Sequence, residues 1–252
     1  MSARAGERDW DASSYERVSD PQVEWARVVL DRLPLEGHET VLDAGCGGGR
    51  VTQLLLDRLP NGHVVAVDSA PSMVETARAS LGDRATVIQS DLVDLELDER
   101  VDAAFSNAVF HWIPDHDRLF STLHAAMRPG ARLVAQCGGE GNVARFIAIA
   151  KEVGRDPRFS EHFDGWRGPW NFAGPDETAV RLQRAGFDEI ATWLESWPVR
   201  PAEPREFMRT VCLGDHLPRL PPELQDAFTD IVAERVGPEL DYVRLNIEAR
   251  CV

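Results

Sequence analysis

Between residues 39 and 136, short apolar runs alternate with amphipathic stretches of helical period, and no other feature of the chain restricts its fold as much. The spacing predicts strands over 39–45 (ETVLDAG), 63–68 (HVVAVD), 85–89, 101–106 and 131–136. The stretches between them predict helices. Val51 to Leu59 carries apolar residues at 51, 54, 55 and 59. The next helix opens with Pro71 in its first turn, where the missing N–H is no loss, and shows Met73, Val74, Ala77 and Leu81 on one face. Another runs from Asp115 to Met127 and is stopped by Pro129-Gly130. Strands separated by helices pair in parallel, and the crossover helices must cover both sheet faces, so the alternation predicts an α/β fold. Ahead of it, apolar residues at 23, 25, 26, 28, 29, 30 and 33 predict one more helix over 23–33, closed by Pro34.

Beyond Cys137 the rhythm breaks. GGEGN leads into a short apolar helix near 143–153 and then an aromatic, proline-bearing stretch ending in GWRGPWNFAGP, which reads as an insertion. The alternation resumes with a helix over 176–187, where Gly186 suits a helix C-terminus, and a strand over 188–199. Residues 202–240 form a second helical excursion. The last segment, YVRLNIEARCV, alternates apolar residues at 243, 245, 247 and 249, as in a strand with two unlike faces. The expected organisation is a loose tail over 1–9, an α/β domain assembled from 10–137, 176–201 and 241–252, and a small helical cap from 138–175 and 202–240.

With 252 residues, 43% of them hydrophobic, the chain can bury a large core, and disorder is excluded as an overall description. A net charge of -15 would repel a phosphate backbone or an anionic bilayer, so neither nucleic acid nor membrane is expected as a partner. Lys151 is the one lysine, which leaves cationic recognition of any substrate to arginine. The four cysteines, Cys46, Cys137, Cys212 and Cys251, form no CxxC pair. Neither a zinc site nor a disulfide framework is expected, and a reducing cytoplasm fits. The first ten residues are charged and no apolar run is long enough for a membrane span.

The chemistry starts at VLDAGCGGG (41–49), a glycine-rich turn between strand and helix, where backbone N–H groups and the positive helix end can face a ligand. As a dinucleotide fingerprint, GxGxxG, it fails at its last place: Arg50 stands where a small residue should pack helix on strand. A nicotinamide-dependent oxidoreductase is thereby disfavoured. Asp68 ends the second strand 19 residues after Gly49, where a carboxylate can accept two hydrogen bonds from a ribose diol; it can equally serve the helix start ahead of Pro71. Asp91, in SDL, closes the third strand, where an aspartate could bind an adenine amino group or simply face solvent.

VLDAGCGGG, VAVDSAPSMVETAR, QSDL and FSNAVFHWIPD, in that order over residues 39–137, resemble the class I S-adenosylmethionine-dependent methyltransferases. The resemblance implies a Rossmann-like seven-stranded sheet with an antiparallel last strand, helices on both faces and S-adenosylmethionine as cofactor. It implies that Asp43 supports the methionine end of the cofactor, that the backbone of Gly45, Cys46 and Gly47 approaches it, and that Asp68, with Ser69 beside it, holds the ribose. Met73 would lie under the adenine, Asp91 and Leu92 at its edge, and Asn107 along the methionine. More narrowly, WDASSY (10–15), Gln22, FHW (110–112) and YVRLNIEAR resemble the trans-aconitate and juvenile hormone acid methyltransferases, which methylate carboxylates of small acids. That likeness implies that Trp10 and Tyr15 close over the cofactor, and that Gln22, Trp112 and His111 hold the acceptor carboxylate.

Other chemistry finds little support. His111, His116 and His124 lack metal-ligand spacing, so no metal is expected, and no GxSxG marks a hydrolase. Phe159, Phe163, Trp166, Trp170, Phe172, Trp193 and Trp197 imply core or lid packing and an apolar acceptor pocket. The expected function is methyl transfer from S-adenosylmethionine to a carboxylate of a small organic or fatty acid. The alternatives are a phenol, amine or carbon acceptor, or a non-catalytic S-adenosylmethionine-binding regulator.

Overall fold

In the computed structural model, which describes residues 20–252, the chain folds around one seven-stranded sheet of order β3-β2-β1-β4-β5-β7-β6. The strands are β1 (Thr40–Ala44), β2 (His63–Asp68), β3 (Ala85–Gln89), β4 (Val101–Asn107), β5 (Met127–Gly138), β6 (Phe187–Ser196) and β7 (Val243–Cys251). Those from β1 to β5 pair in parallel. β7 runs antiparallel to both its neighbours, β5 and β6, as the family likeness implied.

The period of two along each strand sorts side chains onto two helical layers. On one face Val41, Val64, Ala103 and Phe105 form a core with helices α1 (Asp20–Leu30), α2 (Arg50–Arg58) and α3 (Pro71–Leu81). On the other, Leu42, Ala44, Leu133 and Ala135 pack against α4 (His116–Ala126) and α6 (Pro175–Ala185). A third cluster lies beyond the carboxyl ends of the parallel strands. There α5 (Ala144–Val153), the short α7 (Pro204–Phe207) with the π-turn after it, and α8 (Pro222–Val236) bury Phe146, Phe159, Phe207 and Phe228.

Some expected boundaries move. α1 covers Asp20–Leu30 rather than 23–33, and Pro34 follows a turn instead of closing the helix. Pro129-Gly130 does more than follow a helix end: α4 stops at Ala126, and β5 already includes both residues in an irregularity where the register with β4 shifts. Gly130 takes φ 89° there. β6 ends at Ser196, with Val199 returning as an isolated bridge to Leu240. The two faces of β7 are unlike, but the first half of the polar one is not solvated. Arg244 is 2% exposed and Asn246 0%, because α1 lies over them and Trp25 and Arg32 reach down to the strand. Among the described residues no helix is long and apolar enough to cross a membrane.

Candidate functional site

The glycine turn is built by β1 meeting β2. Gly45 and Cys46 donate their N–H groups to the carbonyl of Val67 at 2.8 and 2.9 Å, which pins the turn to the neighbouring strand. Gly45 sits at φ 91°, and a Cβ there would come 2.1 Å from Val109 Cγ2, so sterics alone demand glycine. Gly47 donates to Asp68 Oδ2 at 2.9 Å, and Ala70 donates to Asp68 Oδ1 at 2.9 Å. Asp68 thus braces both the turn and the start of α3, the structural role available to it in the sequence. Burial raises its pKa, while backbone N–H groups from Ala70, Gly47 and Ser69 pull the other way. A carboxylate offers about four lone-pair sites, so the 2.9 Å bonds from Gly47 and Ala70 leave capacity for further donors.

Asp43 and Cys46 stand behind this wall rather than in it. Asp43 is 1% exposed and accepts a 2.7 Å hydrogen bond from Thr52 Oγ1 on α2. Desolvation, with Asp68 adding to it and Thr52 opposing it, pushes its pKa up to about 7. Cys46 is a buried thiol whose pKa burial raises further, in keeping with a small packing residue and not a nucleophile.

In front of the wall lies a cavity of about 730 Å³, within the range of about 300–1,000 Å³ usual for small-ligand sites. Gly45, Gly47, Asp68, Ser69 and Met73 line one side. Asp91 and Leu92 continue it at the end of β3, where the Asp91 carboxylate accepts from Val93 N at 3.1 Å and caps a short 3-10 turn. Asn107 ends β4 at the cavity, followed by Ala108, held at φ 63° with its N–H on Gln136 O at 2.7 Å. A non-glycine residue in the left-handed region is strained, and here the strain bends the chain from β4 into the FHW turn. A Cβ placed on Gly47 would meet nothing within 4 Å. This open, amide-bearing side with Asp68 and Asp91 along it fits a nucleoside with a ribose diol.

His111 and Trp112 face the same cavity. The Gly138 N–H donates to His111 Nδ1 at 3.2 Å, so a neutral ring must carry its proton on Nε2. Burial, then the charges of Arg244 and His116, hold its pKa well below 6.5, so His111 stays a neutral donor. The His111 ring packs against Trp112 and Phe172, and Trp112 against Trp170, with centroids 5.1, 5.7 and 5.9 Å apart. Trp10 and Tyr15 lie outside the described residues. Gln22 falls in the first turn of α1, where the backbone alone is described.

Several lining residues escaped sequence reasoning: Trp25, Ser90, Asp215, Arg219, Tyr242 and Arg244. The indole walls of Trp25, Trp166 and Trp170 match the expected apolar pocket, yet Arg244 and Arg219 make it a mixed one. The signal for Arg244 was present in the resemblance carried by YVRLNIEAR, but alternation alone gave no reason to place its charged side indoors.

A methyltransferase domain family matches residues 41–130, the span from β1 to the start of β5. Trans-aconitate 2-methyltransferase from Methylobacterium radiotolerans is 35% identical over 260 residues, covering 94% of each chain. The enzyme of the same name from Azoarcus sp. (strain BH72) is 40% identical over 127 residues, a match that spans 50% of each. Among solved structures, phosphoethanolamine N-methyltransferase 2 of Haemonchus contortus, in complex with S-adenosyl-L-methionine, shares the fold with TM-score 0.63 at 16% identity. That likeness covers 95% of this chain and 56% of the other. Sheet order, cofactor wall and kinship over nearly the whole chain agree: it belongs to the class I S-adenosylmethionine-dependent methyltransferases, as a relative of the trans-aconitate 2-methyltransferases.

Proposed function

We propose that the chain transfers the methyl group of S-adenosylmethionine to a carboxylate oxygen of a small organic acid, with trans-aconitate, the acid in the relatives' name, as the first candidate. One observation carries the reading: a single cavity joins the Asp68–Asp91 wall to His111 and Trp112, so cofactor and acceptor sides share one space. Bound there, the cofactor supplies an electrophilic methyl group on a sulfonium.

Asp68 and Ser69 receive the ribose, Met73 underlies the adenine, Asp91 and Leu92 meet its edge, and Asn107 with the backbone of Gly45, Cys46 and Gly47 lines the methionine. Asp43 acts from behind, keeping the turn in shape through Thr52. Gln22, the Trp112 indole and His111 Nε2–H orient the acceptor. Neutral donors suit a carboxylate nucleophile, since they position the anion without cancelling the charge that attacks. No general base is needed for an oxygen already deprotonated at neutral pH. A neutral, Nδ1-engaged His111 is also a poor base for a phenol, which favours the acid reading over that alternative.

The segments 138–175 and 202–240 serve as the cap of the acceptor side, and Trp10 and Tyr15 close over the cofactor. A cytoplasmic setting suits four free, buried thiols. The test is methyl transfer from labelled cofactor to a panel of mono-, di- and tricarboxylates, phenols and amines, with products identified by mass. Base-labile methyl esters are the expected products. Methylation confined to phenols or amines, or cofactor binding without any transfer, would sink the reading.

A further inference from the structure

The FHW turn leaves three carbonyls outside its own hydrogen bonding. Trp112 and Ile113 donate their N–H groups back to Val109 O at 2.9 Å and Phe110 O at 3.0 Å, and the carbonyls of His111, Ile113 and Pro114 play no part in that ladder. One residue of the cap, Asn171, takes up all three. Its backbone N–H donates to His111 O at 2.8 Å, and its side-chain Nδ2 donates to Ile113 O at 3.2 Å and Pro114 O at 3.0 Å. Both amide protons are thereby used. Just past Pro114, the Asp115 carboxylate accepts from Arg118 N at 2.9 Å and caps α4. Asn171 therefore grips the stretch between the strained Ala108 and the first turn of α4.

The neighbours of Asn171 hold the same turn with their rings. Trp170 packs on Trp112 and Phe172 on His111, and Trp170 and Phe172 stack with centroids 5.5 Å apart and planes 14° apart. The strip 170–172 is itself fixed to the sheet. A Cβ on Gly138, at the end of β5, would come 2.6 Å from the Phe172 ring, and Ala173, 1% exposed, accepts from Glu140 N at 3.0 Å. A firm mount on β5 is thus carried through Asn171 to a turn 57 positions earlier in the chain, and His111, Trp112, Trp170 and Asn171 all line the cavity. The amide suits the task, because it offers two N–H donors to successive carbonyls where a hydroxyl offers one.

Resting on the reading that Trp112 and His111 orient the acceptor, we propose that Asn171 is a positioning residue for methyl transfer, acting through the FHW turn to hold both side chains in the reacting geometry. Asn171→Ala removes the two donors without adding charge, and Asn171→Gln keeps them on a longer stem. With labelled S-adenosylmethionine and trans-aconitate, Asn171→Ala should lose about 10- to 100-fold in kcat, the cost of misplaced orienting groups, with KM changed less. Calorimetric affinity for S-adenosylhomocysteine should stay that of the parent, and Asn171→Gln should recover part of kcat. Parent kcat in a folded Asn171→Ala variant, with stability alone lowered, would assign Asn171 a merely structural role and overturn the proposal. The unaltered protein supplies a check that needs no variant: both side-chain amide protons of Asn171 should exchange slowly with solvent by nuclear magnetic resonance, and fast exchange would overturn it too. If the unaltered protein methylates no carboxylate, the parent reading fails, and the clamp is judged on protein labelled with 5-fluorotryptophan. There Asn171→Ala should move or broaden the Trp112 fluorine line, assigned through Trp112→Phe, and leave the Trp193 line in place. A moved line would leave the clamp standing without that reading, and an unmoved one would remove both.

Discussion

Asp43 gives the sharpest check on the electrostatics of the cofactor wall. The carboxyl is fully buried under the glycine turn, and its pKa stands at about 7 against 3.8 for an ordinary aspartate. Desolvation is the main cause and Asp68 adds to it, while the Thr52 hydrogen bond offsets part. The folded chain therefore holds this proton after the unfolded chain has released it. Below about pH 4 both states are protonated and the site costs nothing; between about pH 4 and 7 stability falls as pH rises, and above 7 the loss is complete. A rise from 3.8 to about 7 corresponds to a loss of about 4 kcal/mol at high pH, each pH unit being worth about 1.4 kcal/mol. Asp43→Asn removes the ionisation while leaving an oxygen for Thr52. Any poorly satisfied amide N–H adds a penalty of about 1–3 kcal/mol, but one independent of pH. Urea unfolding of parent and variant at half-unit steps from pH 4.5 to 8 isolates the slope. The variant should gain on the parent by about 3–4 kcal/mol across the series, nearly all below pH 7.5. Parallel pH profiles for the two proteins would refute the burial argument.

Asp68→Ala should weaken S-adenosylhomocysteine binding by about 2–3 kcal/mol, roughly 30- to 150-fold in Kd, through loss of charge-assisted bonds in a buried setting. Calorimetry measures it, and unchanged affinity in a folded variant would remove this acid from the ribose role. A Gln22→Ala, Trp112→Phe double variant should keep cofactor affinity but lose about 100-fold or more in methyl transfer to acids. Single-turnover transfer at the parent rate would show that neither residue positions the acceptor.

The parts of this fold that could be read from sequence are those governed by period. β2 and α3 fall where alternation and Pro71 place them, and Gly186, at φ 105°, ends α6 as its position promised. That Gly45, Gly47, Asp68 and Asp91 share one side of a cavity was legible too, because a glycine turn and a strand-end acid keep a fixed chain separation wherever the geometry recurs. The far side of the cavity was harder. Arg244 and Asn246 look like solvent-facing residues of a two-faced strand, and their burial depends on α1 lying across β7, a contact between segments more than two hundred residues apart. Tyr242 and Trp25 meet at 5.1 Å for the same reason. Nor does spacing disclose that Asp43 faces inward while Asp68, at the end of the adjacent strand, reaches the cavity.

The reversed direction of β7 divides the lining of the cavity between two distant stretches of the chain. Turn and strand-end residues from Gly45 to Leu92 line one side of the cavity, whereas the cationic side chains among its described lining residues, Arg219 and Arg244, come from far later in the chain. The first set lies inside the span that the methyltransferase domain shares, 41–130, and the second lies outside it. A chain built this way can reshape one side of its cavity through later segments and a single strand end. The glycine turn, whose contacts with Val67 and Asp68 tolerate so little change, need not move at all.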